Sequence, residues 1–328
     1  MQQRLALQRA KRVLSGQAVV TLADDQCCAV VLEKNARWYL PELLRHHRAI
    51  GVQHFLVIDN GSTDGTPELL ESEPDVTVIQ ACVPVSDYEV LMRRLLPPLV
   101  VQGGWFLVVD SDEMFEPPPG CNGQIRPLLR YMLAEGQTAM LVHMLDMFSD
   151  QSAEITCRWS YVEALDRMSL YSLNALERID YHDPDFILAY FVKDNPTAAP
   201  QNFWRGGMRY EVFGETPLLT KHGIFRNADG VAPPGHVHAV SNVCVSDVSA
   251  CYRHYKFSGD YITRERNHVA AGTWQHGEDV LRLARYDQPG AFAIRTASQL
   301  SFRGTEVLLD EGFIQTSDRF REFVERQA

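Results

Sequence analysis

Apolar residues along this chain fall in short unbroken runs between polar, glycine- and proline-bearing stretches. Residues 27–33, 54–59, 76–79 and 105–110 hold such runs without the alternation of a half-exposed strand, so each predicts a strand buried on both faces. Between the first two, Leu40, Leu43, Leu44, His47 and Ile50 fall on one helical face, with Pro41 in the first turn and Gly51 as a stop. His46 and His47 read as residues of that helix, not as ligands. Thr66-Pro67-Glu68 predicts the start of a second helix through a cap, a first-turn proline and an acidic first turn. Tyr88 to Val101 predicts a third, across Pro97-Pro98. Strands alternating with helices predict an α/β fold, a Rossmann-like, mixed and mostly parallel sheet flanked by helices. Residues 139–145 predict a further strand running into Asp146, 150–200 are irregular and turn-rich, and 258–328 read as helical. The expected organisation is a main domain over 1–257 with a helical C-terminal extension, 258–328, packed on it.

The 328 residues allow a sizeable core, and 45% hydrophobic with 22% charged residues is the balance of a globular protein. A net charge of −11 with no long basic run argues against a nucleic-acid groove, so no nucleic-acid partner is expected. No apolar run approaches the roughly 18–20 residues of a membrane span. The first residues lack the charged, apolar and cleavage regions of a secretory signal. Seven cysteines with no C-x-x-C pair, Cys27-Cys28 inside an apolar run, predict buried free thiols in a reducing cytosol. Arg4, Lys11 and Arg12 interleave with Leu5, Leu7, Val13 and Leu14, which predicts a surface helix or a frayed end. A basic helix resting on a membrane is the alternative, so the expected location is cytoplasmic, with peripheral contact at the inner face of the membrane as its variant.

The run Trp105 to Val109 ends in Asp110-Ser111-Asp112-Glu113. Ligands of open α/β sheets bind outside the carboxyl ends of the strands. Two carboxylates one residue apart at that place can share a Mg²⁺ or Mn²⁺ ion, which typically bridges carboxylates to a diphosphate. The spacing alone means little, because it recurs at Asp183-Pro184-Asp185, which follows no buried strand and reads as a turn. The buried strand in front of Asp110 carries the signal.

Lys34-Asn35, then Ile58-Asp59-Asn60-Gly61-Ser62-Thr63-Asp64-Gly65-Thr66, then Val109-Asp110-Ser111-Asp112-Glu113 resemble family 2 glycosyltransferases of the GT-A fold. The likeness is greatest to a bacterial branch whose first helix is similar to the stretch from Tyr39 to His47. Leu145-Asp146-Met147-Phe148-Ser149-Asp150, Arg205-Gly206-Gly207-Met208-Arg209 and His254-Tyr255-Lys256-Phe257 also resemble that branch, so the likeness runs from about residue 27 to about 290. It departs at Ala36, where the family commonly has glutamate, and at Asn60, where its usual second acid is missing. The resemblance implies a metal-dependent hexosyltransferase of polysaccharide biosynthesis. It would move a sugar from a nucleotide-sugar donor, a UDP-sugar, to an acceptor hydroxyl by an inverting displacement assisted by Mn²⁺ or Mg²⁺. Whether the acceptor is a glycan, lipid-linked or a protein stays open, and residues 150–200 are expected to hold its flexible loop.

The resemblance also implies roles. Lys34, Asn35 and Asp59 would contact the nucleotide, Asp59 at base or ribose. Asp110 would meet the ribose and the metal edge, and Asp112 would ligate the metal, with Glu113 in support. A histidine of the C-terminal half often completes such a site; His238 and His254 lead His236 because they lie near strand-like stretches, and His143 and His182 trail. The acceptor base should be a carboxylate beyond the metal strand, Asp146 first and Glu211 second. Arg205, Arg209 and Lys221 supply charge to grip the diphosphate or an anionic acceptor. Gly206-Gly207 allows either close approach of a ligand or a turn, while Phe203 and Trp204 read as core packing ahead of a sugar platform. Two rival readings stay open. One is a nucleotidyltransferase, set back by the glycine-free loop from Glu33 to Arg37; the other is a catalytically degenerate GT-A module that only binds nucleotide or sugar, kept alive by Ala36.

Overall fold

The computed structural model describes residues 2–228, 230–272 and 277–327. Among these, nine strands form one mixed sheet: β1 (Lys11–Ser15), β2 (Cys27–Glu33), β3 (His54–Asp59), β4 (Val76–Ala81), β5 (Trp105–Val108), β6 (Glu113–Glu116), β7 (Ala139–Asp146), β8 (Thr220–Arg226) and β9 (Ala250–His254). Their order is β1-β4-β3-β2-β5-β8-β7-β9-β6. The block β4-β3-β2-β5 is parallel throughout, as the alternation of strands and helices requires. Beyond it β8 runs antiparallel to both β5 and β7, β9 parallel to β7, and β6 antiparallel to β9.

Helices α1 (Gln2–Ala10), α2 (Leu40–Ala49), α3 (Thr66–Leu70), α4 (Val85–Leu95) and α5 (Arg126–Ala134) flank this sheet. Strand β2 shows why its sequence lacks alternation. Cys27, Ala29 and Val31 pack with Leu40, Leu43 and Leu129 of α2 and α5, while Cys28, Val30 and Leu32 pack with Leu7 and Met92 of α1 and α4. Both faces are apolar because both are covered. Helix α2 stops where expected, with Gly51 at φ +95° and Val52 N–H donating to the His47 carbonyl at 2.9 Å.

Several local expectations are corrected. Lys11–Ser15 is not a helix or a frayed end but the edge strand β1, antiparallel to β4. The central strand stops at Val108, and a turn closed by Glu113 N–H to the Asp110 carbonyl at 3.0 Å returns the chain as β6. The third helix breaks after Leu95, because Pro97 has no N–H to continue it, and Pro97–Val100 forms a separate turn of helix. Thr66 does not cap its helix; its hydroxyl accepts from Ala36 N–H and donates to Asp64. All seven cysteines are free, but Cys82 is exposed and Cys157 and Cys244 are half-buried. Among the described residues, no helix is long and apolar enough to cross a membrane.

Past residue 257, helices α6 (Tyr261–Ala271) and α7 (Glu278–Tyr286) pack on each other and border the cleft described below. Farther on, Leu308, Phe313, Ile314, Phe320 and Val324 join the same apolar core as β2 and α2.

Candidate functional site

The carboxyl ends of β2, β3 and β5 open into a cleft of about 2010 Å³. Two loops at its floor are stapled together. Asn35, at φ +61°, donates its N–H to the Ser62 hydroxyl at 2.8 Å, and its side-chain oxygen accepts from Thr63 N–H at 2.8 Å. Arg37 N–H adds a bond to Asp64 at 3.1 Å. Lys34, Asn35 and Asn60 line the cleft; Asp59 does not. The Asp59 carboxylate is 1% exposed and accepts from Gly61 and Ser62 N–H, each at 3.1 Å, and from the Gln80 amide at 2.9 Å. These bonds make Asp59 part of the turn, set back from the cleft where a base or ribose contact is expected. Asn60 donates its amide to the carbonyls of Ala81 at 2.7 Å and Val83 at 2.8 Å, which a carboxylate in its place could not do. Ala36 is buried in the core, so a longer acid there would need a different packing.

The acidic end of β5 lies at the centre of the cleft. Asp110 takes Arg93 at 2.6 Å on one oxygen and stands 3.6 Å from Lys221 on the other. Against burial, Lys221 and Arg93 hold its carboxyl well below the usual carboxylate range. Lys221 also grips Glu113 at 2.5 Å, so the predicted diphosphate cation is already paired on the floor. Glu33 accepts from Ser111 N–H at 2.8 Å, and burial, then the Asp110 charge, push its carboxyl up to about 8. Neither Arg93 nor Glu33 stands out in the sequence, because each gains its meaning from a partner on another element.

Asp112 meets the C-terminal half of the chain. His254 sets Nε2 3.5 Å from Asp112 and Nδ1 2.6 Å from Asp146, whose other oxygen accepts from Arg209 Nε at 2.9 Å. Against burial, the Asp112 and Asp146 carboxylates push the His254 imidazole up to about 9. As an imidazolium it pairs with both, Arg209 supplying the second positive charge; as a neutral ring it can present Nε2 to a cation held by Asp112. Asp146, the first expected acceptor base, does not line the cleft: its carboxylate is buried and engaged by Arg209 and His254. Glu211 is displaced too. It lies outside the cleft lining and accepts from Ala297 N–H.

His236 and His238 also line the cleft, where His238 binds the Thr220 carbonyl through Nδ1 at 2.8 Å, and burial pushes it down to about 3. Arg205 sits at the cleft edge in a bidentate pair with Glu177 at 2.9 and 2.7 Å. Gly206, at φ +85°, would bring a Cβ within 2.8 Å of the Ala175 carbonyl, so backbone packing, not a ligand, explains it. Phe203 is buried and Trp204 stacks on Phe313, in keeping with core packing. His143 is likewise buried, bonded to Thr220 at 2.9 Å, and His182 binds the Asn195 carbonyl at 2.9 Å.

Asp112 and His254 form a donor set that suits Mn²⁺ or Mg²⁺: a hard carboxylate, and an imidazole whose far nitrogen is fixed by a second carboxylate. Among the described residues, no group of three or more His, Cys, Asp or Glu forms a ready metal cage. A cation here would complete its shell with substrate oxygens and water.

No family model matches the chain, and no curated protein matches it. Several solved structures are similar over part of it, among them the following two. S. aureus TarS is 17% identical with a TM-score of 0.27, over 42% of this chain and 26% of that one. A 4-diphosphocytidyl-2C-methyl-D-erythritol synthase is 15% identical with a TM-score of 0.25, over 40% of this chain and 65% of that one. The chain thus spans about a quarter of the first and less than two thirds of the second. At these scores neither likeness bears on what the chain does.

Proposed function

We propose that the chain transfers a sugar from a nucleoside diphosphate, UDP in the first instance, to an acceptor hydroxyl. The observation that carries this reading is the meeting of Asp112, past the end of β5, with His254 from the far half of the chain, held there by Asp146. The nucleotide would lie along the stapled loops, beside Lys34, Asn35 and Asn60. Mn²⁺ or Mg²⁺ on Asp112 and His254 would neutralise the leaving diphosphate. The chain's own groups do the positioning. Arg93 and Lys221 keep Asp110 ionised, so that it can accept from a ribose hydroxyl. Asp146 fixes the His254 ring through Nδ1. The acceptor base would come from carboxylates that line the cleft, Asp183, Asp185 and Asp260 among them, instead of Asp146 or Glu211. An inverting displacement rests on the family resemblance alone.

Calorimetry of UDP with Mn²⁺ and with EDTA, on wild type and Asp112→Asn, tests the donor and the metal together. Metal-dependent binding that the variant loses is expected, with turnover of UDP-sugar reduced on the order of a hundredfold or more. Tight binding indifferent to both changes would remove the metal, and no UDP binding at all would sink the donor assignment. The rival reading of a binding module gains from the withdrawal of both expected bases into other contacts. UDP binding without turnover on any UDP-sugar would favour it.

A further inference from the structure

The C-terminal wall of the cleft carries two cations, Lys256 and Arg264, that make no direct ion pair with Asp112. Helix α6 turns Thr263, Arg264, Asn267, His268 and Ala271 toward the cleft, the spacing of a single helical face, and that face holds no large apolar residue. Lys256 borders the same space two residues past His254. Arg264 donates to the Tyr39 hydroxyl and to the Lys256 carbonyl, the latter at 2.7 Å, which ties the two cations into one unit. Among the described residues, no carboxylate stands within 4.0 Å of the Lys256 ammonium or the Arg264 guanidinium. Of the acids nearby, Asp260 lines the same face and accepts from Thr263 N–H at 3.2 Å, and the others are paired elsewhere. Glu215 and Glu265 each reach Arg282 at 2.8 Å, joined there by Asp279, while Asp146 holds Arg209. Lys256 is crowded by the Arg282 and Arg209 charges, which Glu265 and Asp112 offset without a direct ion pair, so a bound anion relieves the remaining repulsion.

We propose that Lys256 and Arg264, with Thr263, Asn267 and His268 beside them, form a subsite for an anionic group of the acceptor, a carboxylate or a phosphate, the word acceptor resting on the transferase reading above. The wall adjoins the stapled loops through Arg264 and Tyr39 and the Asp112–His254 pair through Lys256, so competition with UDP separates an acceptor anion from the donor diphosphate.

Calorimetry on the full chain saturated with UDP and Mg²⁺ tests this, with inorganic phosphate as the probe. A parallel titration of glucuronate against glucose separates a carboxylate source from neutral sugar binding. Phosphate, glucuronate or both should bind alongside UDP, and Lys256→Gln should weaken that binding about tenfold or more, the scale of one charge-assisted hydrogen bond, with UDP affinity unchanged. Lys256→Arg should retain it, which separates loss of charge from loss of fold. Displacement of the probes by UDP would assign both cations to the donor diphosphate and overturn the proposal. So would equal binding by wild type and Lys256→Gln, or no binding of either anion. If UDP fails to bind while phosphate binds and Lys256→Gln loses it, the donor reading falls and the anion subsite stands.

Discussion

Asn60 and Asp146 carry the two residue-level consequences that are simplest to test. Asn60→Asp would set a carboxylate against the carbonyls of Ala81 and Val83, leaving two acceptors facing a third. The expected loss is about 1–3 kcal/mol, the cost of groups left unsatisfied, and an unchanged melting temperature would refute it. Asp146→Asn would leave Arg209 and His254 buried against a neutral amide. Breaking such a pair from one side typically costs about 3–5 kcal/mol, so a lower denaturation midpoint is expected together with weaker Mn²⁺-dependent UDP binding. An acceptor base would instead lose turnover and keep both stability and UDP affinity, so that result would restore Asp146 to its expected role. Gly223 interrupts the register of β8, and a Cβ there would come within 2.5 Å of the Tyr252 hydroxyl. That hydroxyl donates to the Val108 carbonyl at 2.7 Å, so Gly223→Ala should destabilise by about 1–3 kcal/mol, the usual scale of overpacking.

At the scale of an element, helix α2 links the sheet to a pH dependence. His47, on its buried face, bonds the Leu43 carbonyl through Nδ1 at 2.8 Å and accepts from Phe115 N–H through Nε2 at 3.3 Å. Both nitrogens are matched to the neutral ring, and burial, then His46, push its pKa down to about 3. The unfolded ring titrates near 6.5. Between these values the unfolded chain binds the extra proton, so the contribution of His47 is complete above pH 6.5. It falls by about 1.4 kcal/mol per pH unit as the pH drops toward 3. Glu33 and Glu215, raised to about 8 and about 7 chiefly by burial, act in the opposite sense over part of that range. The measurable quantity is thus the difference in unfolding free energy between wild type and His47→Gln. That difference should shrink from pH 6 to pH 4; a constant difference would refute the neutral assignment.

For the whole molecule, the cleft is assembled from distant parts of the chain. The loops after β2 and β3 and the acidic turn after β5 make its floor, while His254, Lys256 and α6 close it from the other side. Residues after 300 also supply core, through Leu308, Phe313, Ile314 and Phe320. A chain ending at residue 257 should therefore lose its fixed tertiary packing, seen as collapse of the near-ultraviolet circular dichroism. A truncated chain with a native-like spectrum and cooperative melting would show that the N-terminal part folds by itself.

Local pattern by itself determined the buried strands β2 to β5, the helix α2 with its stop, and the carboxylates at the strand ends. Each depends on neighbours one to four residues away, and covering both faces of a sheet leaves an unbroken apolar run. It did not reveal β1 as a strand, nor which acids face the cleft. Asp59 and Asp146 both end apolar runs as Asp110 does, yet the fold turns one into its own loop and covers the other with His254. Lys221 and Glu113 are 108 residues apart, as are His254 and Asp146, and Arg209 reaches Asp146 across 63. Which carboxylate is free, paired or protonated depends on counter-charges brought from that far along the chain, and only the tertiary structure decides it.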